Sequence, residues 1–178
     1  SGSWLHNANE GGGRIIGEMC HFIDFARFFA GTKIISVQAD AARNQAGAAD
    51  DVTAILRFEG GSLATISYTS LGDTSFPKER FEIFAGGAVL NLDNFRSLSV
   101  TQNGVNKKYT SNGQDKGFKN ALSSFIQAVA AGGPAPIDEN ELLESSFATS
   151  ADLDSATKTP AKNAPIATDS PTIFANNA

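Results

Sequence analysis

The sequence predicts an α+β protein built on a mostly antiparallel, open sheet with helices on one face. Three observations lead to this class. A helical pattern comes first, about six or seven β-strand patterns follow, and two further helical patterns come after them. Grouped strands of this kind favour an antiparallel sheet over the βα alternation of a parallel one. Glycine-rich turns between neighbouring strands point the same way, because tight hairpins join antiparallel strands.

The first helix is predicted over residues 14–29. Apolar side chains recur there at spacings of three and four, the period of one helix face. Additional phenylalanines widen that face, so we expect this helix to be buried on most sides. Gly31 fits a helix C-terminal cap, where a left-handed backbone conformation is common.

The middle of the chain alternates as β-strands do, with β-branched and aromatic residues throughout. The clearest pair flanks the turn Glu59-Gly60-Gly61-Ser62 and predicts an antiparallel hairpin. Asn103-Gly104 marks another turn. The predicted strands are KIISVQADAAR, DVTAILRF, LATISYTS, KERFEIFA, AVLNLDN, SLSVTQN and VNKKYTS.

Two helices are predicted after the strands. The first has an amphipathic stripe between Phe118 and Ala130 and ends at Gly132-Gly133-Pro134. The second spans residues 139–156, and Asp138 with Glu141 resembles a capping box at its start. Residues 160–178 are rich in Pro, Ala, Asn, Thr and Ser, which predicts a flexible tail.

Composition excludes several classes of function. The net charge is −5, so a nucleic-acid partner is not expected. We find no long apolar run, so no membrane partner is expected either. Cys20 is the single cysteine of the sequence and has no partner at metal-ligand spacing. The sequence therefore predicts a cytoplasmic protein without a metal site.

His21 is the leading candidate for chemistry. Glu18 lies three residues before it and Asp24 three residues after it, on neighbouring positions of one helix. A histidine beside carboxylates suits proton transfer. The alternative is a buried structural histidine bonded to Asp24.

Two other features have a functional and a structural interpretation. The triplet Gly11-Gly12-Gly13 suits either phosphate binding at a helix N-terminus or a tight entry into the helix. Basic residues near turns suit either an anionic substrate group or an ordinary charged surface. These residues are Arg14, Lys78, Arg80 and Arg96.

One stretch of sequence carries a family resemblance. GGGRIIGEMCHFIDFARFFAG resembles the segment that opens the C-terminal domain of the glucose–fructose oxidoreductase, inositol dehydrogenase and rhizopine-catabolism (Gfo/Idh/MocA) family. VTAILRFEGGSLATISYTS, KERFEIFAGGAVLNLDNFRSL and DKGFKNALSSFIQAVAAGGPAPI are similar to later parts of that domain. The resemblance implies a substrate and oligomerisation domain over residues 4–159 with a dihydrodipicolinate-reductase-like fold.

The resemblance also implies roles for individual residues. By the resemblance, His21 would be the catalytic residue that helps move the substrate hydroxyl proton. Arg14, Glu18 and Asp24 are candidate substrate-binding residues because of their charge and their positions near His21 in the sequence. Many members have an aspartate four residues before this histidine, whereas this chain has Gly17 there.

Family members bind NAD(P) through a Rossmann domain with a glycine-rich fingerprint and a Glu-Lys-Pro motif. Neither motif occurs in this sequence. We therefore expect no cofactor to be bound by this chain alone, with NAD(P) implied for the full-length protein.

Two functions follow as hypotheses. The first is the substrate-binding and oligomerisation domain of an NAD(P)-dependent sugar or polyol oxidoreductase, catalytically incomplete as given. The alternative is a non-catalytic binding or assembly module that uses its open sheet face. Neither alternating set of strand positions is fully polar, since Ile55, Ile66, Tyr68 and Phe81 interrupt them. The sequence thus predicts a homodimer, or a dimer of dimers, formed through the sheet face.

Overall fold

A computed structural model describes residues 15–43, 49–155 and 172–177. The described strands form one sheet in the order β1-β2-β3-β8-β4-β5-β6-β7. Every neighbouring pair is antiparallel except β3 and β8. The predicted α+β class with a mostly antiparallel, open sheet is therefore confirmed. The strands are β1 (Ile34–Arg43), β2 (Ala49–Phe58), β3 (Leu63–Tyr68), β4 (Glu79–Ala85), β5 (Ala88–Asp93), β6 (Ser97–Gln102), β7 (Val105–Thr110) and β8 (Thr172–Asn177); the helices are α1 (Cys20–Ala30), α2 (Phe118–Ala131) and α3 (Glu139–Ser155).

The first helix begins with a π-helical turn, Ile15–Met19, and continues as α1. It ends where the sequence predicts. Gly31 has φ 66° and donates its backbone N–H to the Arg27 carbonyl at 3.1 Å. That left-handed conformation disfavours a Cβ, which explains glycine at this position.

The hairpin of β2 and β3 supplies much of the core. Its register pairs Ala54 with Ile66 and Leu56 with Ala64, and all four residues are buried. Alternate positions of both strands therefore face the helices, as the period of two requires. The turn closes with a hydrogen bond from the Phe58 N–H to the Ser62 carbonyl at 3.0 Å.

Helices α1 and α3 lie on one face of the sheet and are joined by charge as well as by apolar contacts. Arg27 of α1 is only 9% exposed. Its guanidinium donates to Glu144 at 3.2 Å and to Glu141 at 3.3 Å, both on α3. Glu144 also accepts the Ile34 N–H, so it ties α3 to β1.

Asp138 caps α3, as predicted, although its hydrogen-bond partners differ from those of a capping box. Its carboxylate accepts the Asn140 backbone N–H at 2.8 Å and the Asn140 side-chain amide at 2.9 Å. These hydrogen bonds, the backbone one foremost, hold the pKa of Asp138 below its usual range. Glu141 pairs with Arg27 across the helix interface.

The predicted tail needs one correction. Thr172–Asn177 form β8, which lies between β3 and β4, parallel to the first and antiparallel to the second. The run Thr-Ile-Phe favours a strand. The Pro, Ala, Asn, Thr and Ser content of residues 160–178 as a whole indicates a flexible tail instead. Residues 156–171 and 178 lie outside the described residues.

Helices α1 and α3 do not cover the opposite face of the sheet. Ile66, Tyr68 and Phe81 lie on the helix-covered face, where they are at most 5% exposed. The open face instead has Ile55 and Phe84, which are 41% and 39% exposed. Its apolar content is thus smaller than the alternation in the sequence suggests.

On the helix-bearing face, the part of the sheet that the helices cover does not extend to β7. A row of paired residues crosses β4 to β7, in the order Phe81, Leu92, Leu98 and Tyr109. Phe81 is 5% exposed and Tyr109 is 56% exposed. Side chains on this face therefore become exposed toward the β7 edge.

Candidate functional site

A cavity of about 340 Å³ lies beside the start of α1, on the helix-covered side of β4. Four parts of the chain form its walls: the first helix, the start of β4, the β5–β6 turn and the segment that leads into α2. The lining residues are Glu18, His21, Phe22, Phe25, Lys78, Glu79, Phe81, Phe95, Lys116 and Phe118.

His21 is the second residue of α1 and is exposed at this cavity. Glu18 lies in the π-helical turn just before it and is held in place by two donors. The Tyr68 hydroxyl donates to Glu18 at 2.7 Å, and the Lys78 ammonium donates to the same oxygen at 3.1 Å. Glu18 is therefore a fixed, charged acceptor beside the histidine.

A second carboxylate, that of Glu79, connects three parts of the cavity wall. Glu79 is only 8% exposed and forms an ion pair with Lys116. Its other carboxylate oxygen accepts the Gln114 amide at 3.2 Å, and Gln114 also donates to Asn94 at 2.9 Å. Because these bonds join β4, the β5–β6 turn and the segment before α2, they fix the shape of the cavity.

Aromatic rings form the apolar part of the cavity. The Phe25 and Phe81 centroids are 4.0 Å apart, and the Phe81 and Phe95 centroids are 5.8 Å apart. Phe22 stacks on Phe81 at 5.6 Å. Such ring clusters are stiff, and they offer a flat apolar surface next to the two lysine–carboxylate pairs.

Phe95 reaches this cluster from an unusual backbone position. It has φ 52° and follows Asn94 with φ 49°, so the β5–β6 turn has two left-handed residues. The β4–β5 and β6–β7 turns place glycine at the same point, Gly87 and Gly104. A bulky residue in this conformation is strained and persists only where its surroundings hold it.

The predicted site residues divide into three groups. His21 and Glu18 line the same cavity, and Lys78 joins them. Asp24 instead accepts the Ser145 hydroxyl at 3.2 Å, a contact between α1 and α3. Arg14 and the glycine triplet lie outside the described residues. Because His21 is exposed, it is not the buried structural histidine of the alternative interpretation.

Other wall residues had little or no signal in the sequence. Glu79 and Lys116 are 37 residues apart, and no local spacing links them. Phe95 had one usable signal, since Asn94-Phe95-Arg96 lies between two strand patterns as a short hairpin loop does. A phenylalanine at the second position of such a turn indicates that its side chain has a packing or functional role, because the backbone conformation there is strained for a bulky residue.

Two further features are less suited to chemistry. Burial raises the pKa of the Cys20 thiol, so Cys20 is a poor nucleophile at neutral pH. A larger cavity of about 550 Å³ between β1 and α3 has two charged lining residues, Lys33 and Glu144. Glu144 is already engaged by Arg27 and by the Ile34 N–H.

The described residues contain no cluster of three or more His, Cys, Asp or Glu side chains placed to hold a metal ion. In the same parts of the chain, each helix is too short or too polar to cross a membrane.

An open, mostly antiparallel sheet with helices α1 and α3 on one face defines an α+β domain. A family model describes the particular case: the GFO/IDH/MocA C-terminal domain matches residues 1–90, half of the 178-residue chain. The chain belongs to this family of oxidoreductase C-terminal domains. No curated protein sequence matches it.

Solved structures with a similar fold include three oxidoreductases. UDP-N-acetylglucosamine 3-dehydrogenase GnnA from Acidithiobacillus ferrooxidans superposes with a TM-score of 0.70 at 18% identity, over 79% of this chain and 46% of that one. A putative myo-inositol dehydrogenase from Sinorhizobium meliloti gives 0.67 at 24%, over 88% and 51%.

An oxidoreductase from Agrobacterium radiobacter, in complex with NAD⁺, L-tartaric acid and magnesium, gives 0.64 at 18% identity, over 79% and 46%. At these identities the likeness concerns the fold. The present chain spans about half the length of these solved chains.

Proposed function

We propose that this chain is the substrate-binding half of an NAD(P)-dependent oxidoreductase that acts on a sugar or polyol. The observation that carries the proposal is the cavity that joins exposed His21 to two lysine–carboxylate pairs and an aromatic wall. Family membership and the dehydrogenases among the similar folds support it.

The cavity chemistry suits a polyhydroxylated ligand. Carboxylates accept hydrogen bonds from hydroxyl groups and ammonium groups donate them, so Glu18 and Lys78 offer both kinds of partner. The ring of Phe25 offers an apolar face to the C–H side of a sugar. We infer that His21 takes a hydroxyl proton of the substrate, with the fixed charge of Glu18 nearby.

The nicotinamide cofactor would accept hydride from the substrate carbon when it is bound. Dinucleotide sites in Rossmann domains use a parallel strand that leads through a glycine-rich turn into a helix. Among the described strands, β3 and β8 are the single parallel pair, and β3 leads to β4 rather than to a helix. The described residues therefore do not fit such a site, and we infer that another domain holds NAD(P).

His21→Ala in the complete gene product tests the role of the histidine. If His21 is a general acid/base, we expect turnover to fall by about 10² to 10⁴ with NAD⁺ or NADP⁺ and a panel of aldoses and inositols. The control is Asp24→Asn on the same helix, since Asp24 contacts Ser145 away from the cavity. Near-normal turnover in the His21 variant would contradict the proposal.

We also propose self-association through the open sheet face, as a homodimer or a dimer of dimers. The supporting observation is that α1 and α3 leave this face uncovered, with Ile55 and Phe84 partly exposed on it. The same surface favours the second candidate function, an assembly module without catalysis.

A further inference from the structure

The cavity beside His21 has two lysines that are more exposed than the carboxylates they pair with. The side chain of Lys78 is 54% exposed, and that of its partner Glu18 is 26% exposed. The side chain of Lys116 is 31% exposed, and that of its partner Glu79 is 11% exposed. All four residues line the cavity. In both ion pairs, the lysine therefore offers more surface to a ligand than the carboxylate does.

The two carboxylates also accept hydrogen bonds from neutral groups of the wall. The Tyr68 hydroxyl donates to Glu18 at 2.7 Å, and the Gln114 amide donates to Glu79 at 3.2 Å. A carboxylate has about four lone-pair sites for such bonds. Part of the accepting capacity of both carboxylates is therefore used within the wall rather than by a ligand.

The two lysines keep most of their donors. An ammonium group has three N–H donors and no acceptor. Within the described parts of the chain, Lys78 donates to Glu18 and Lys116 donates to Glu79, one hydrogen bond each. Two N–H groups of each lysine therefore remain for water or for a ligand.

Charged donors of this kind favour a ligand group that only accepts hydrogen bonds. A sugar hydroxyl both donates and accepts, whereas a carboxylate or phosphate oxyanion accepts only and has the opposite charge. Hydrogen bonds between oppositely charged groups are shorter and stronger than those between neutral groups. The two ammonium groups therefore favour an anionic substituent of the ligand over one more hydroxyl group.

The volume of the cavity limits the size of this ligand. At about 340 Å³, it lies near the lower end of the range for small-molecule sites, which is about 300–1,000 Å³. The rings of Phe25 and Phe81 form part of its wall and offer an apolar surface. The space suits a single sugar ring with one acidic substituent.

We propose that the substrate of this site is an anionic monosaccharide, either a sugar acid or a sugar phosphate, whose oxyanion is bound by Lys78 and Lys116. This inference rests on the proposed function and deepens it, because that function sets no charge on the sugar or polyol. His21 lines the same cavity, so the ring hydroxyls of a sugar held by the lysines lie within the site of the proposed proton transfer.

Binding to the 178-residue chain tests the charge preference without any turnover. The probes are glucose, galactose and mannose, each compared with its uronate and its 6-phosphate, and NMR follows the imidazole signals of His21 during the titrations. We expect the uronate or the 6-phosphate of at least one hexose to bind about tenfold more tightly than the neutral sugar. The tighter of the two distinguishes a carboxylate from a phosphate ligand. Equal dissociation constants for neutral and acidic forms, or no binding of any acid, would overturn the proposal.

Lysine variants test which groups bind the oxyanion. Lys78→Gln should weaken binding of the acid about tenfold and leave binding of the neutral hexose unchanged. Lys108→Gln is the matched control, since Lys108 is exposed on β7 and does not line the cavity. Lys116→Gln is combined with Glu79→Gln, because loss of the lysine alone would leave a buried carboxylate unpaired, and this double variant should behave as Lys78→Gln does. An equal loss for acid and neutral sugar, or the same loss in the control, would contradict the proposal.

Turnover in the complete gene product separates this inference from the proposed function. Oxidation of neutral and acidic sugars with the same kcat/KM would overturn the anionic substrate and leave the oxidoreductase function standing. Selective binding of the acids without any NAD(P)⁺-dependent oxidation would support the lysine site and contradict the oxidoreductase function.

Discussion

The left-handed backbone conformation of Phe95 reflects two opposing contributions to stability, backbone strain and ring packing. Its left-handed backbone costs on the order of 1–3 kcal/mol for a bulky residue, whereas its ring packs against Phe25 and Phe81. The ring contacts must offset the strain. A sequence pattern reports the turn but not this balance, because the rings that hold Phe95 come from α1 and β4.

Phe95→Gly and Phe95→Ala separate the two effects. Both remove the ring, but glycine also relieves the backbone strain. We expect the glycine variant to be more stable than the alanine variant by about 1 kcal/mol, and both to raise KM for the substrate. Urea unfolding and steady-state kinetics measure this. Asn103→Gly, at φ 52° in the next hairpin, is the control for glycine in a left-handed turn position and should leave KM unchanged. Equal stability of the two Phe95 variants would argue against strain.

At the scale of elements, the sequence predicts the hairpins and helices well because their signals are local. Turn glycines and periodicity lie within a few residues of one another. Contacts between elements have no such signal. Arg27 meets Glu144 across 117 residues, and the exposure of the apolar residues of α2 depends on what lies near them in space rather than in sequence.

Glu144→Ala tests the link between α1, α3 and β1. It leaves the Ile34 N–H and one side of the Arg27 guanidinium without an acceptor in a largely buried place, so we expect a loss of about 2–3 kcal/mol in the free energy of unfolding. Glu141→Ala is the matched control: Glu141 is 47% exposed, and its pair should contribute less than about 1 kcal/mol. Chemical denaturation measures both losses, and a loss for Glu144→Ala no larger than that for Glu141→Ala would contradict the expected role of Glu144.

At the scale of the whole molecule, α1 and α3 lie on one side of the sheet and leave its other side uncovered by them. The sequence predicts this arrangement from the order of elements, but it overstates how apolar the free face is. Ile66, Tyr68 and Phe81 alternate onto the covered face, which the sequence alone cannot distinguish from the open one.

Ile55→Lys with Phe84→Lys tests the sheet-face dimer. Pairing two such faces should bury on the order of 1,200–2,000 Å², and two buried lysines on each side would oppose it. We expect light scattering at micromolar concentration to give a dimer for the parent chain and a monomer for the variant. Leu71→Lys, at an 82% exposed position in a loop, should leave the dimer intact. A parent chain that stays monomeric on concentration would refute the dimer.

The place of β8 has a consequence for how the protein is made. β1 to β3 and β4 to β7 can each form hairpins as they leave the ribosome, but the strand that joins them is encoded more than sixty residues after β7. Until residues 172–177 are synthesised, β3 and β4 each have an unpaired edge, which is a template for pairing with other chains. Translation at about 5–20 residues per second leaves both edges open for several seconds, so a stalled ribosome or a premature stop codon before Thr172 would release two half-sheets prone to aggregate.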